Sequence, residues 1–391
     1  MTLFRKELRD ALSMLYSSSD AMQLLESLGD LMESKIMPNA RRIDAERIFP
    51  RENLDMLFKH GLCRIPFPSR YGGLELPYPV YIASLEMLGM ACASTGLSLA
   101  IHCTVCSGIE MFGSEEQKEH YLKPLIHGKM LGAFALTEPD AGSDAKAIQT
   151  RARLDEHNNS YIINGRKRFI TNGGYADLYL VFAVTEKGYS AFLVDKDCNG
   201  LRIGKYMDKM GVRGSTLTEL HLNDCIVPKA NLLGEEGKGY DYAMEMLHTG
   251  RIGIAALSTG IAQIAFEKSL AYSKRRYAFG KPIAEFQMIR QKLADMHTAI
   301  SAARHLTLSA AWAKENGLDY ALIAAEAKLF ASETAKMVSD EAIQIHGAYG
   351  YVDEYDVNRH WRDARMMSIG EGTSEIMRLI ISHRLLRSDV L

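Results

Sequence analysis

The chain has 391 residues, enough for a large buried core and for two or three domains. Hydrophobic residues make up 47% and charged residues 24% of it, which is typical of a globular protein. The formal net charge of −2 leaves no basic excess for a nucleic-acid backbone or an anionic bilayer, so we expect neither as a general partner.

The N-terminal stretch, MTLFRKELRDALSMLY, is amphipathic and carries charges of both signs, unlike a secretory signal or an acid-poor transit peptide. Elsewhere no run approaches the roughly 18 consecutive apolar residues of a membrane helix, so we expect no membrane span. These features predict a cytoplasmic location, or the mitochondrial matrix if the chain is a processed mature form.

The six cysteines are few for a chain of this length, which predicts a reducing compartment and no disulfide framework. Cys103 and Cys106 have the spacing of a redox or zinc pair, but no second such pair accompanies them. Because both lie in the apolar run GLSLAIHCTVCSGIEMFG, core packing is favoured and we expect no bound metal.

Apolar residues at helical spacing dominate the first part of the chain. Pro50 and Gly61 mark the start and the end of one predicted helix, and Ser114 is the predicted cap of another. The sequence therefore predicts an N-terminal α-helical domain over residues 1–128.

Between residues 129 and 234 the pattern changes to short aliphatic or aromatic segments separated by turn sequences such as PDAGSD, EHNN and NGGYAD. This pattern predicts an antiparallel β domain, and the missing βαβ alternation excludes a doubly wound nucleotide-binding sheet. From 235 to 391 long apolar stripes return, which predicts a helical bundle packed on itself or on a second subunit. The predicted fold class is mainly α with a central β domain.

The helix expected after about residue 237 has one interruption in its apolar stripe, at Arg251. An arginine that faces inward needs a paired charge or a bound anion, whereas one at the edge of a helix can extend its head to water. His248 lies one turn earlier on the same face, where a histidine is commonly an ordinary hydrogen-bonded residue. Spacing alone leaves these alternatives open.

Three further segments suit an anion or a flavin. FALTEPDAGSDA ends a strand in small residues that let backbone N–H groups approach a ligand, and SKRRYAFGKPIAEFQ puts three cations before a Phe-Gly turn. QIHGAYGY ends a helix in glycine and aromatic residues. A structural loop, a solvated charge cluster and a simple helix end would look similar.

The segment IGEGTSEIMR places Glu371 between Gly370 and Gly372, directly before a predicted helix. A carboxylate there stabilises the N-terminus of that helix, with Thr373 or Ser374 as its cap. The flanking glycines favour a different interpretation, a carboxylate open to a substrate, because they leave no neighbouring side chain to cover it.

Taken together, the motifs resemble those of the flavin-dependent acyl-CoA dehydrogenases over about residues 20–386. The segments SRYGGLELP, ALTEPDAGSDA, RFITNGGYAD, YAFGKPIAEFQ, QIHGAYGY and GEGTSEIMR follow in the family's order and approximate spacing. One such string would be weak, but six in register are highly specific. The resemblance implies a middle antiparallel β-barrel between an N-terminal α-helical domain and a C-terminal four-helix bundle. It also implies FAD held between the domains in a homotetramer, a dimer of dimers.

The resemblance further implies a set of site residues. Those that would contact FAD are Phe134, Leu136, Thr137, Gly142, Ser143, Phe169, Ile170, Thr171, Arg276, Phe279, Gln287, Gln344, Ile345, Gly347, Ala348, Thr373 and Glu375. Those that would contact the substrate are Ser143, His248, Arg251 and Gly372. Arg276 would bind the pyrophosphate, while Gln287 and residues 344–348 would reach FAD bound mainly by a neighbouring protomer.

Glu371 aligns with the catalytic base of the short- and medium-chain members of that family. The resemblance implies that it takes the α-proton of a saturated acyl-CoA thioester while the β-hydride passes to flavin N5, giving the trans-2-enoyl-CoA. Electrons would then pass to an electron-transfer flavoprotein, as in fatty acid β-oxidation. Some branches place the base immediately before the arginine equivalent to Arg251, where this chain has Gly250, so Glu371 has no obvious rival.

Three positions depart from the family pattern or bear on the substrate. Phe169 replaces the usual tryptophan beside the flavin and lacks its indole N–H. His248 replaces an aspartate near CoA, which leaves an acyl group on a carrier protein as an alternative substrate. Leu97 lies near the position of an arginine in the glutaryl-CoA branch, which disfavours decarboxylation.

Two other classes of function are compatible with this fold. A flavin oxidase or monooxygenase is one, and a non-enzymatic assembly or DNA-associated protein is the other. The presence of Glu371 and of the flavin motifs favours dehydrogenation over both.

Overall fold

The computed structural model describes residues 2–16 and 18–387, and it begins with a block of helices. Their bounds are α1 Lys6–Ser13, α2 Ser19–Leu31, α3 Ala40–Glu46, α4 Arg51–Lys59, α5 Tyr78–Ala91, α6 Ala93–Phe112, α7 Glu115–Gln117 and α8 Lys123–Ile126. As predicted, α4 starts after Pro50, and Gly61 follows its end with a φ of +79°. The predicted cap is also present, because Ser114 forms a reciprocal capping box with Gln117.

Helices α5 and α6 form the centre of this block. Both are apolar around their whole circumference, and all of α5 is buried. Helix α6 is long and apolar enough to cross a membrane by length and composition alone, but 72% of its most apolar stretch is buried inside the protein. Burial of this kind is expected for a core helix.

A β-sheet occupies the middle of the chain. Its strands are β1 Gly132–Ala135, β2 Arg151–Asp155, β3 Ser160–Thr171, β4 Leu178–Thr185, β5 Gly188–Asp195, β6 Leu201–Tyr206, β7 Leu217–Pro228 and β8 Leu232–Leu233. The order is β6-β7-β3-β2-β4-β5-β8, with β1 beside β4. Most pairs are antiparallel, but β4 runs parallel to both β1 and β2. The antiparallel prediction did not include these two pairs. The long stretches of chain that separate β1 and β2 from β4 permit them.

The rest of the described chain is mostly helical. It comprises α9 Gly239–Arg275, the hairpin strands β9 Tyr277–Ala278 and β10 Lys281–Pro282, and then α10 Gln287–Glu315, α11 Ala321–His346, α12 Ala348–Tyr351, α13 Val357–Met367 and α14 Ser374–Arg387. The predicted order of helices, strands and helices is confirmed.

Helix α9 packs against the N-terminal block as well as against its own bundle. At its crossing with α5 the backbones nearly touch, since a Cβ on Gly260 would lie 2.0 Å from the Glu86 carbonyl oxygen. Beside this crossing, Arg304 of α10 donates two hydrogen bonds to the buried Glu86 carboxylate, at 2.8 and 2.7 Å. These contacts fix α9 and α5 relative to each other, and the candidate site lies on α9.

Candidate active site

Glu371 lies in the turn between α13 and α14, with its backbone in the left-handed region. Its φ is +57° and that of Gly372 is +99°. Positive φ is uncommon for a residue with a side chain and is often associated with functional sites. The turn is followed by a capped helix, because the Ile376 N–H donates to Thr373 Oγ1 at 3.3 Å. Thr373, rather than Glu371, therefore provides the side-chain cap.

The carboxylate of Glu371 points at Gly250 in α9. A Cβ built on Gly250 would lie 2.7 Å from Glu371 Oε2 and 3.0 Å from its Cδ, so only glycine leaves this space open. Oε2 is buried and accepts no hydrogen bond from the described residues. Burial raises the pKa of Glu371 to about 7, although Arg251 and Lys328 oppose the rise.

Two buried cations hold the turn through its backbone. Arg251 Nε donates to the Glu371 carbonyl oxygen at 3.3 Å, and Lys328 Nζ donates to the Gly372 carbonyl oxygen at 2.5 Å. Burial lowers the pKa of Lys328 to about 8 and also lowers the pKa of Arg251. Since both cations bind carbonyl groups, the carboxylate of Glu371 stays available to take a proton.

Arg251 is only 3% exposed. It therefore faces inward and does not extend its head to water, which settles the alternative that the sequence left open. Its Nη1 lies 2.7 Å from His248 Nδ1, and because an arginine can only donate, Nδ1 accepts. Burial, together with the charge of Arg251, lowers the pKa of His248 to about 4. His248 is therefore a neutral partner of Arg251 at pH 7.

A narrow pocket adjoins Gly250 on the side of α5 and α6. It is lined by Tyr78, Tyr81, Ala100, Cys103, Thr104, Ser107, Thr249, Gly250 and Gly253. Small side chains and two tyrosine rings make up this lining, and none of these residues carries a charge. Apart from Gly250 and Cys103, which the sequence brought up for other reasons, these residues were missed by sequence reasoning. The small residues within the apolar α6 segment were the available signal.

The predicted flavin residues of the β-sheet cluster where β1 and β3 end. The Arg168 N–H donates to the Thr137 carbonyl oxygen at 2.8 Å, which joins the two strand ends. Next to it, Phe169 sits at a register shift between β3 and β7, with a φ of +59° and a side chain that is 51% exposed. An aromatic ring is thus displayed at the surface in an unusual backbone conformation.

A buried ion pair supports these strand ends. Lys167 Nζ donates to Glu138 Oε1 at 2.8 Å and to the Leu136 carbonyl oxygen at 3.1 Å. Glu138 also accepts hydrogen bonds from the Thr150 N–H at 3.1 Å and the Gln149 N–H at 2.6 Å. Burial lowers the pKa of Lys167 to about 8, against the attraction of Glu138. Sequence reasoning missed both members of this pair.

The other predicted residues of this region divide by exposure. Leu136, Ile170 and Thr171 are buried, and Ile170 belongs to the apolar core of the sheet, so only its backbone can face a ligand. Gly142 and Ser143 are exposed, and a Cβ built on Gly142 would meet nothing within 4 Å. The partly buried Phe134 packs against Phe182, with ring centroids 5.2 Å apart.

Tyr240, at the start of α9, lies beside this region. Its ring lies 4.9 Å from Lys146 Nζ, just beyond Ser143, and 5.7 Å from the ring of Tyr189.

A separate group lies at the far end of the helical bundle. The guanidinium carbon of Arg276 lies 5.7 Å from the Tyr349 ring, which brings the end of α9 next to the end of α11. Gln287, Gln344, Gly347 and Ala348 are exposed there, Phe279 is 96% exposed, and Ile345 is buried. Glu375 is exposed on α14 and Thr373 is partly buried.

Cys106 has neighbours that its sequence spacing does not reveal. Ligand atoms of Cys63, His102 and Cys106 lie within 4.8 Å of one another, all buried. His102 Nδ1, however, accepts from the Gly132 N–H at 2.9 Å, and its Nε2 lies 3.2 Å from the Leu125 carbonyl oxygen. Because both ring nitrogens have protein partners, His102 is placed as a core residue and not as a free ligand.

Family models match almost the whole chain. Residues 18–129 match the N-terminal domain of acyl-CoA dehydrogenase, 133–225 its middle domain and 237–386 its C-terminal domain. The chain belongs to the acyl-CoA dehydrogenase family. Among its relatives, the short-chain specific acyl-CoA dehydrogenase of Clostridium acetobutylicum is 44% identical over 364 residues, covering 92% of this chain and 96% of the relative.

Solved acyl-CoA dehydrogenase folds superimpose closely on this one. Butyryl-CoA dehydrogenase from Megasphaera elsdenii is 41% identical with a TM-score of 0.93, covering 95% of this chain and 99% of its own. A second solved chain is 43% identical to this one. It comes from a structural study of the electron transferring flavoprotein of Acidaminococcus fermentans and the mechanism of flavin-based electron bifurcation. Its TM-score is also 0.93, over 95% of this chain and 99% of its own.

The acyl-CoA dehydrogenase family uses FAD, and the residues present fit this group. The exposed ring of Phe169 offers a face for a planar isoalloxazine. The open backbone at Gly142 lets a ligand approach its N–H, and the exposed Arg276 can pair with a phosphate.

Proposed function

We propose that this chain dehydrogenates a saturated acyl-CoA thioester to the trans-2-enoyl-CoA, with FAD as the cofactor. The observation that carries the proposal is the buried carboxylate of Glu371, whose Oε2 lacks a hydrogen bond from the described residues. Its pKa of about 7 lets it both accept and release a proton near neutral pH. The uncharged lining of the pocket beside Gly250 is compatible with an apolar acyl group.

Glu371 is the proposed general base for the α-proton. Arg251 and Lys328 hold its turn by the backbone, which keeps the carboxylate against Gly250. Gly250 leaves room for the carboxylate, and Gly372 adopts the positive φ that the turn requires. The Glu371 N–H is the proposed donor to the thioester carbonyl, and polarising that carbonyl makes the α-proton more acidic.

FAD would be held by the strand ends of the β-sheet and by the start of α14. The residues proposed to contact it there are Phe134, Leu136, Thr137, Gly142, Ser143, Phe169, Ile170, Thr171, Thr373 and Glu375. When bound, FAD accepts the β-hydride of the substrate at N5. Ser143, His248, Arg251 and Gly372 are the proposed substrate contacts, with Ser143 near both ligands.

The residues at the end of the bundle support a proposed homotetramer, a dimer of dimers. Arg276, Phe279, Gln287 and residues 344–348 lie apart from Glu371, and the nearly full exposure of Phe279 suits a contact with a second copy. They would bind FAD held mainly by that copy. Residues 1–128, 129–234 and 235–391 are the three proposed domains.

The proposed electron acceptor is an electron-transfer flavoprotein, which the similarity to the Acidaminococcus fermentans chain supports. The short-chain name of the Clostridium relative supports a short, straight acyl chain such as butyryl. A cytoplasmic or mitochondrial-matrix location would suit this acceptor.

Anaerobic mixing of the purified FAD-loaded protein with butyryl-CoA tests the proposed function. We expect the flavin absorbance to bleach and crotonyl-CoA to form. Hexanoyl-CoA, isobutyryl-CoA and a butyryl group on an acyl carrier protein complete the panel. If only the butyryl group on the acyl carrier protein bleaches the flavin, the substrate is carried by that protein and not by CoA. If no member of the panel bleaches the flavin, the proposed dehydrogenation is contradicted.

A further inference from the structure

Two cysteines that are distant in sequence lie side by side in the β-sheet. Cys198 follows β5 in the turn that leads to β6, and Cys225 lies in β7 opposite Ile163 of β3. Their Sγ atoms are 3.0 Å apart. Cys198 Sγ also lies 3.0 Å from the Ile226 carbonyl oxygen, so it sits directly against β7.

The backbones that carry the two thiols are already joined by hydrogen bonds. The Ile226 N–H donates to the Asn199 carbonyl oxygen at 3.0 Å, and the Asn223 N–H donates to the Gly200 carbonyl oxygen at 3.0 Å. Each cysteine is therefore adjacent to a hydrogen-bonded residue. A disulfide needs neighbouring backbones and suitable side-chain torsions, so here it requires mainly side-chain rotation.

Solvent access separates this pair from a second one in the same chain. Cys63 and Cys103 have Sγ atoms 3.3 Å apart, but both are buried in the helical core. Cys198 is only partly buried, while Cys225 is buried beneath it. An oxidant can therefore reach one thiol of the sheet pair, and the other is positioned to react with the product.

The chemistry of the thiols agrees with this division. The hydrogen bond with Cys225 lowers the pKa of Cys198, and the same contact, together with burial, raises the pKa of Cys225. Burial raises the pKa of both Cys63 and Cys103. Since the thiolate is the reactive species, Cys198 is the nucleophile of the sheet pair.

We propose that Cys198 and Cys225 form an oxidant-sensitive dithiol that closes to a disulfide in the presence of a peroxide. The Cys198 thiolate attacks a peroxide oxygen, so that an S–O bond forms, the O–O bond breaks and the departing hydroxide is protonated to water. The Cys225 thiol then attacks the sulfenic sulfur, and a second water leaves as the S–S bond forms. The two thiols supply the two electrons that reduce hydrogen peroxide.

The disulfide would tie the β5 to β6 turn to β7 and close a loop that contains β6. It would lie at the opposite end of β7 from Leu217 and Thr218, which pair with Thr171 and Ile170 near the proposed flavin site. We therefore expect oxidation to raise the unfolding temperature by a few degrees, because a cross-link restricts the unfolded chain, and to leave turnover within twofold.

The test treats the FAD-loaded full-length protein with hydrogen peroxide and maps its cysteines under non-reducing conditions. We expect a Cys198–Cys225 cross-linked peptide that dithiothreitol reverses, while Cys63 and Cys103 stay reduced. C225S should accumulate a sulfenic acid at Cys198 that dimedone traps, and C198S should leave Cys225 unmodified. C63S serves as a control that should not alter the cross-link.

Three outcomes would overturn the proposal. One is the absence of the cross-link while Cys198 is nevertheless oxidised. Another is closure of the buried Cys63–Cys103 pair in preference to the sheet pair. The third is equal dimedone labelling of the untreated and peroxide-treated C225S protein, which would show that the peroxide does not act at Cys198.

Discussion

The carboxylate of Glu371 lies against the backbone of Gly250, where a Cβ would come within 2.7 Å of Oε2. Gly250 is one residue before Arg251, whose guanidinium binds the backbone of Glu371. One turn of α9 therefore holds the backbone of Glu371 through Arg251 and makes room for its carboxylate at Gly250.

Gly250→Ala is expected to separate activity from stability. The atom in the way is the end of a flexible side chain, so the carboxylate moves while the fold persists, and alanine in a helix is favoured over glycine. We expect flavin reduction by butyryl-CoA to slow roughly 10²-fold, as for other misplacements of about 1 Å, with an unchanged or higher unfolding temperature.

Gly253→Ala is the matched control one turn along. Its Cβ would lie 3.3 Å from Leu85 Cδ1, a distance that a small side-chain shift relieves. Gly253 lines the same pocket but does not contact Glu371, so a smaller loss of reduction rate is expected than in Gly250→Ala. Equal rates for the two variants would show that the Gly250 contact does not matter.

The rate of flavin reduction by butyryl-CoA should increase with pH, with a midpoint near pH 7. Burial raises the pKa of Glu371 to about 7, so its proton-accepting form is lost below that pH. Lys328 opposes this rise, and Lys328→Met should therefore move the midpoint to higher pH. Stopped-flow reduction between pH 5.5 and 9 would check this, with the surface variant Lys123→Met as control. A downward shift in Lys328→Met would contradict the assignment.

Lys167→Met should destabilise the protein by about 3–5 kcal/mol, because it leaves a buried carboxylate without its cation. Glu138 would keep its hydrogen bonds from Gln149 and Thr150 but lose Lys167. In the double variant Lys167→Met/Glu138→Gln no charge is stranded, so part of the loss should be recovered. Urea unfolding at pH 7 measures the free energy of unfolding of Lys167→Met, Glu138→Gln and the double variant. If the losses of the two single variants add up in the double variant, the pair is not coupled.

Arg276→Ala is expected to weaken FAD retention about 10-fold or more through loss of a forked phosphate contact. The neighbouring Arg275→Ala is the control, since Arg275 is also exposed but donates to the Ala271 carbonyl oxygen. Flavin content after dilution and gel filtration would compare them. Equal retention by the two variants would remove Arg276 from the FAD site.

Local patterns predicted the order of the helical and β blocks, the α4 ends and the Ser114 cap. They also singled out Arg251, which interrupts an apolar stripe, and Glu371, which lies between two glycines. The Lys167–Glu138 pair, the parallel partners of β4 and the neighbours of Cys106 depend on contacts between distant segments. No spacing within one segment contains that information, so these features needed the folded chain.

The most direct test of the central claim, that Glu371 is the base, is anaerobic flavin reduction by butyryl-CoA in Glu371→Gln. Glutamine keeps the shape of the side chain but cannot take the α-proton, so we expect reduction to slow by about 10²–10⁴-fold or more. FAD content should be unchanged, and the surface control Glu116→Gln should behave as the unmodified protein does. Reduction of Glu371→Gln at the unmodified rate would contradict the claim.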